Sequence, residues 1–369
     1  MNDRVVLRLK LLLIALYASL AGHAPGQTSS DQLSKDEIWA QIDSFFTPPV
    51  QYRDSFAALQ SPLIGEEGRK VASADAWYRQ RKIIATRWQG LLGGWPPLIQ
   101  NQSLTYLDST LHNGHTQYTI SLQWTPKEST RGYLLVPHLR GRKPAVITLY
   151  YEPETAIGKT DKPFRDYAYQ LVKRGFVTLS LGTTEATEEK TYALYYPKLD
   201  SVTVQPLSML AYAAANAWQA LALHPQVDSS RIGVVGHSFG GKWAMFASCL
   251  FEKFACAAWS DPGIVMQEDR PSINYWEPWY LGHHPRPWRE RGMITESNPA
   301  RGLYPHLVKN GHNLHELHAL MAPRPFLVSG GSEDPVDRWT VLNHTVEVNR
   351  ILGHTSKVGM TNRRDHAPN

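Results

Sequence analysis

Six short apolar runs constrain this chain more than any other feature: AVITLYY (145–151), FVTLSLG (176–182), RIGVVG (231–236), FACAAWS (254–260), PFLVSGG (325–331) and KVGMTN (357–362). They lack the polar alternation of a half-solvated strand and read as strands buried on both faces. Between most of them lie patterns of helical period: KPFRDYAYQLVKRG, PLSMLAYAAANAWQALALH, GGKWAMFASCLF and RWTVLNHTVEVNRILG. Pro206 opens the second and Gly353 closes the last. Strand and helix in alternation imply a mostly parallel central sheet with helices on both faces. Ahead of it, SLTYLDSTLHNG, HTQYTISLQWTP and RGYLLVPHLRG add antiparallel lead-in strands, with Asn113-Gly114 as a hairpin turn.

With 369 residues, 42% hydrophobic and 19% charged, the chain can bury a large core and is not compositionally disordered. Residues 1–24 read as a signal peptide: basic residues, the apolar stretch LLLIALYASLAG, then small residues near Ala21 and Ala24. The stretch is short for a membrane span, so no stable membrane anchor is expected after cleavage, and the protein is expected to be secreted or periplasmic. Residues 25–34 form a polar linker, 35–100 a helical N-terminal segment, and 101–369 the main domain. In the segment, Trp77, Ile83, Ile84, Trp88, Leu91 and Leu92 fall near a 3.6 spacing. The interval 262–320 is long for a connection and is expected to be a lid.

Cleavage would remove Arg4, Arg8, Lys10 and Asp3, taking the formal charge from +5 to +3. A balance so mild and dispersed gives no footprint for nucleic acid. Cys249 and Cys256 are the only cysteines and read as buried thiols rather than a disulfide framework.

At the end of RIGVVG, Ser238 stands in Gly236-His237-Ser238-Phe239-Gly240, with a helical pattern directly beyond. A parallel sheet offers its ligand site past the carboxyl ends of its strands, and strand, sharp turn and helix is the setting in which a serine is exposed as a nucleophile. The first turn of the helix would aim Phe239 N–H at a developing oxyanion.

A serine hydroxyl needs a base, and the base needs a carboxylate, later in the chain in the order serine, acid, histidine. Glu333, Asp334 and Asp337 follow PFLVSGG, and His366 follows KVGMTN. Asp334, three residues past Gly331, is the expected acid, with Glu333 its main rival and N-capping its bland alternative. Of fifteen histidines, His366 is the base by position; His354 precedes the last strand, and His237 points away from the serine. His312, His315, His318 and Glu316 lack the spacing of zinc hydrolases, so neither metal nor organic cofactor is expected.

With these residues placed, the chain resembles the α/β-hydrolases from about residue 130 to 368, with a lid insertion before the acid-bearing strand. HPQVDSSRIGVVGHSFGGKWA is similar to the nucleophile region of dienelactone-hydrolase-like and acetyl-xylan-esterase-like serine hydrolases. LHELHALMAPRPFLVSGGSEDP resembles their approach to the acid turn, and RRDHAP their histidine loop. Lys242 occupies the spacing at which glucuronoyl esterases carry a lysine that meets a sugar acid. Phe239 stands where those esterases carry an arginine that helps bind the oxyanion. By the same resemblance the second oxyanion donor is Tyr151 or Tyr150.

The reading is an exported serine hydrolase of carboxylic esters, carbohydrate-linked ones among them, with Ser238, His366 and Asp334 as triad and Phe239 and Tyr151 as oxyanion hole. Lys242, Trp276 and Trp279 are its substrate contacts. The alternatives are a serine exopeptidase or oligopeptidase of the same fold, and an inactive carbohydrate-binding module. Only three residues follow His366 in this sequence, so its loop is expected to be weakly held.

Overall fold

A computed structural model describes residues 34–183, 192–270 and 280–368. The expected signal peptide, nearly all of the linker, and Trp276 and Trp279 lie outside the described residues. Helix α1 (Lys35–Ile42) starts at Ser34, whose hydroxyl accepts from Glu37 N–H while the Glu37 carboxylate accepts from Ser34 N–H, so two orphan donors are satisfied reciprocally. Helix α2 (Ala74–Leu92) starts at the Ser73 cap. Trp77, Ile84, Trp88 and Leu92 form its buried stripe, whereas Ile83, off that stripe, is exposed.

The lead-in strands are β1 (Thr105–His112), β2 (His115–Gln123) and β3 (Ser129–Pro137), with Asn113-Gly114 turning between the first two. There follow β4 (Lys143–Tyr150), α3 (Pro153–Ala156), α4 (Tyr167–Val172), β5 (Val177–Gly182), α5 (Pro206–Ala222), β6 (Val227–His237), α6 (Phe239–Leu250) and β7 (Cys256–Ser260). Later in the chain come α7 (Tyr304–Lys309), α8 (His315–Ala319), β8 (Phe326–Gly330), α9 (Trp339–Ile351) and β9 (Val358–Asn362). The strands form one sheet in the order β1-β2-β3-β5-β4-β6-β7-β8-β9. Pairing is antiparallel through β3/β5 and parallel from there to β9.

Alternate residues of the central strands feed two separate cores. Ile147, Val234, Ala257 and Val328 face a large core built with α2, α5 and α6. Val146, Val235, Ala258 and Leu327 face a smaller one with Ile42 and Phe46 at its N-terminal side and Tyr167 and Leu171 of α4. Each large apolar side chain fully buried there stabilises by about 1.5–3 kcal/mol. The helical N-terminal segment therefore shares its core with the sheet. Glu316 fastens it further, accepting from Trp88 Nε1 (2.8 Å) and Arg87 Nη2 (2.7 Å). Cys249 and Cys256 are buried thiols that are not joined in a disulfide.

Register matters most at the carboxyl ends. His237 of β6 pairs with Ser260 of β7, Ser260 with Ser329 of β8, and Gly330 with Asn362 of β9. The residues one step beyond these pairs are thereby brought to one edge.

Candidate active site

Ser238, the first residue past β6, has φ 55° and ψ −116° before α6 begins. This region is strained for a residue with a side chain, and such strain gathers at active sites. Glycine on either side permits it: a methyl on Gly236 would run into the Gly240 backbone, and one on Gly240 into the Leu149 carbonyl. The turn is tied down by Ser238 N–H donating to Ser260 O (2.8 Å) and Lys242 N–H donating to Ser238 O (3.0 Å).

His366, in the bends after β9, brings Nε2 to 2.7 Å from Ser238 Oγ and Nδ1 to 2.6 Å from Asp261 Oδ2. An ionised carboxylate can only accept, so Nδ1 carries the proton and Nε2 is left to accept from the serine hydroxyl. That is the tautomer a general base needs. Asp261 itself, one residue past β7, is fully buried and has φ 48°, a second strained residue beside Ser238.

The expected acid is thus displaced by one strand. Asp334 does not reach the imidazole; its carboxylate accepts from Gly263 N–H (2.8 Å) and Ile264 N–H (2.7 Å). Glu333 is paired with Arg270 (3.2 Å) instead. The two loops exchange support, because Asp261 in turn accepts from Glu333 N–H (3.1 Å) and Asp334 N–H (2.8 Å). Burial first, and the Asp261 charge second, push the Asp334 carboxyl above the usual carboxylate range. The 262–320 interval thus lies after Asp261, the carboxylate at the imidazole, and before Asp334.

Lys242 is directed inward. Its side chain is buried, and its ammonium donates to the Pro262 carbonyl in the Asp261 turn. Burial, the largest effect, lowers its pKa against the opposing pull of Asp334.

Phe239 opens α6, so its N–H has no acceptor within the helix. Tyr151 follows β4, whose Leu149 pairs with Gly236, and its backbone lies on the strand next to the elbow. The Tyr151 and Phe239 rings stack at 4.8 Å, with Tyr192 (6.0 Å) and Tyr280 (6.2 Å) around Phe239. Tyr150 is buried and its ring lies 6.3 Å from that of His237. The arginine position of the resembling esterases is here the centre of an aromatic cluster.

The strand order, the elbow and the loops at the carboxyl edge define an α/β-hydrolase fold. The profile of the prolyl oligopeptidase family matches residues 213–344, a span that includes Ser238 and Asp261 but not His366. Among solved structures, a glucuronoyl esterase from Solibacter usitatus is 15% identical with a TM-score of 0.64, over 86% of this chain and 95% of that one. A family 15 carbohydrate esterase described as a glucuronoyl esterase from Teredinibacter turnerae is 16% identical with a TM-score of 0.59, over 98% and 96%. A third, from Caldicellulosiruptor kristjansonii, is 18% identical with a TM-score of 0.60, over 88% and 89%. At such identities the likeness is one of fold. No curated protein matches the sequence significantly. Among the described residues no helix is long and apolar enough to cross a membrane, and no group of metal-ligating side chains is gathered.

Proposed function

We propose that this protein is an exported serine hydrolase of carboxylic esters. The observation that carries the reading is the unbroken relay of Ser238, His366 and Asp261, at 2.7 and 2.6 Å. Ser238 attacks the acyl carbon, His366 takes its proton and returns it to the leaving alcohol, and Asp261 orients the imidazole and stabilises its charged form. The N–H groups of Phe239 and Tyr151 receive the oxyanion. Water then repeats the sequence on the acyl-enzyme.

Esters on carbohydrate are the proposed substrates, which the names of the solved structures of like fold support. Phe239, Tyr151 and Tyr192 support an uncharged acyl group, since this cluster replaces a cation with ring faces. The signal-like residues 1–24 support export to the periplasm or beyond. The profile match to oligopeptidases favours a second reading, in which the same relay cleaves an amide.

The test is a fluorophosphonate label together with rates on p-nitrophenyl acetate, uronic methyl esters, acetylated sugars and peptidyl anilides. Label on Ser238 and ester turnover that vanish in Ser238→Ala are expected. Turnover of anilides alone would establish the peptidase, and an unlabelled serine in folded protein would overturn both.

A further inference from the structure

His366 lies outside helix and strand, yet its ring must satisfy Ser238 and Asp261 together. One side chain accounts for how. Arg363, the first residue past β9, donates from Nη1 to Ser329 O (2.8 Å), Ser329 Oγ (2.9 Å) and Gly330 O (3.2 Å), all at the end of β8. From Nη2 it donates to His366 O (2.9 Å) and Ser260 Oγ (3.3 Å). Its own N–H donates to Gly330 O (3.1 Å). Ser260 Oγ also lies 3.0 Å from Nδ1 of His237, whose ring is 4.9 Å from that of His366.

A single planar fork therefore joins the ends of β7 and β8 to the carbonyl of the residue that carries the imidazole. Only a guanidinium can do this, because its donors are fixed in a plane and diverge toward several acceptors, whereas an ammonium is a compact point. An anchor serving stability alone would have no need to end on that peptide. Freed from the fork, the His366 peptide could rotate and carry the ring away from one partner or the other.

We propose that Arg363 is a positioning residue for His366: the fork fixes the His366 peptide against the ends of β7 and β8, and so holds the imidazole between Ser238 and Asp261. This rests on the reading of the relay given above. A displacement of about 1 Å at a catalytic group costs on the order of 100-fold in rate.

The experiment uses the full chain with Arg363→Ala, Arg363→Lys and the neighbouring Arg364→Ala. Three readouts are taken: kcat and KM on p-nitrophenyl acetate, thermal melting, and the downfield proton resonance of an imidazole Nδ1 held by a carboxylate. Arg363→Ala is expected to fold, to lose about 100-fold in kcat with little change in KM, and to lose the downfield resonance to exchange. Added methylguanidinium should restore part of kcat, Arg363→Lys should not, and Arg364→Ala, which removes an exposed charge one residue away, should behave as wild type. Wild-type kcat and an intact resonance in folded Arg363→Ala would overturn the proposal. If Arg363→Ala does not fold, Arg363→Lys decides by the same two readouts. Full activity in Ser238→Ala would instead sink the reading of Ser238 as nucleophile, and the resonance would still decide the role of Arg363.

Discussion

Asp261 and Asp334 pose the same puzzle at the level of single residues. Each follows a buried strand, each precedes a proline, and each stands between Ser238 and His366 in the chain. Sequence order therefore admits both; the Gly-x-x-Asp turn drew the choice to Asp334, whereas the structure sets Asp261 against His366. Register separates them: Ser260 is paired with His237, so the residue just past β7 lies beside the nucleophile turn. The DPG stretch after FACAAWS was the available signal, an acid at a strand end in a tight turn. Glycines and strand order mark Ser238 and His366 in the sequence, and the structure brings these two together at 2.7 Å. Lys242 was placed by its spacing from the serine, which says nothing about where a long side chain turns; it turns toward the Pro262 carbonyl. Asp261→Asn is expected to reduce kcat by about 10³–10⁴-fold, since an amide in place of the carboxylate favours the wrong imidazole tautomer. Asp334→Asn should spare most of kcat and instead lower stability by about 1–3 kcal/mol, because one amide N–H of Gly263 or Ile264 loses its acceptor. Steady-state rates and urea unfolding of both variants check this, and the reverse ranking would return the acid role to Asp334.

Among the elements, the elbow between β6 and α6 is the tightest junction. The expected strands all form, with ends shifted by up to four residues; β6 begins four residues earlier, at Val227 rather than 231. α4 is shorter than its pattern, starting at Tyr167, because Pro163 and Phe164, which has φ 62°, interrupt the run before it. Hydrophobic periodicity sees burial, not backbone breaks, so it extended the helix too far. At the elbow the demand is steric. Gly240 lies so close to Leu149 that no side chain fits without moving β4 away from α6. Overpacking of this kind costs about 1–3 kcal/mol, and it would also displace Phe239 N–H from the oxyanion it is proposed to meet. Gly240→Ala should therefore lower both the melting temperature and kcat. A variant that melts as wild type but loses kcat would show the backbone yielding locally instead of resisting.

Taken whole, the molecule is a sheet between two cores, and the larger core contains polar groups that composition could not place. His315 and His318 lie on α8, which leads toward β8, and His312 lies just before it. What the sequence did not reveal is how deeply two of them are buried. His318 packs against Trp259 (5.4 Å) and Phe326 (6.3 Å), and neither ring nitrogen has a hydrogen-bond partner among the described residues. Burial lowers its pKa to about 3 and that of His315 to about 4. In the unfolded chain both would titrate near 6.5. Below that pH the unfolded state binds protons the folded state refuses, so stability falls as pH drops from about 6.5 toward the folded values. Each such histidine contributes a loss of about 2 kcal/mol between pH 7 and pH 5. His318→Leu keeps an apolar side chain against Trp259 and Phe326 and removes one titrating group. Urea unfolding at pH 7 and pH 5 should show the gap between the two conditions shrinking by about 2 kcal/mol in the variant. An unchanged gap would mean that His318 takes up its proton without unfolding the protein, and the acid sensitivity of the large core would then have to arise elsewhere.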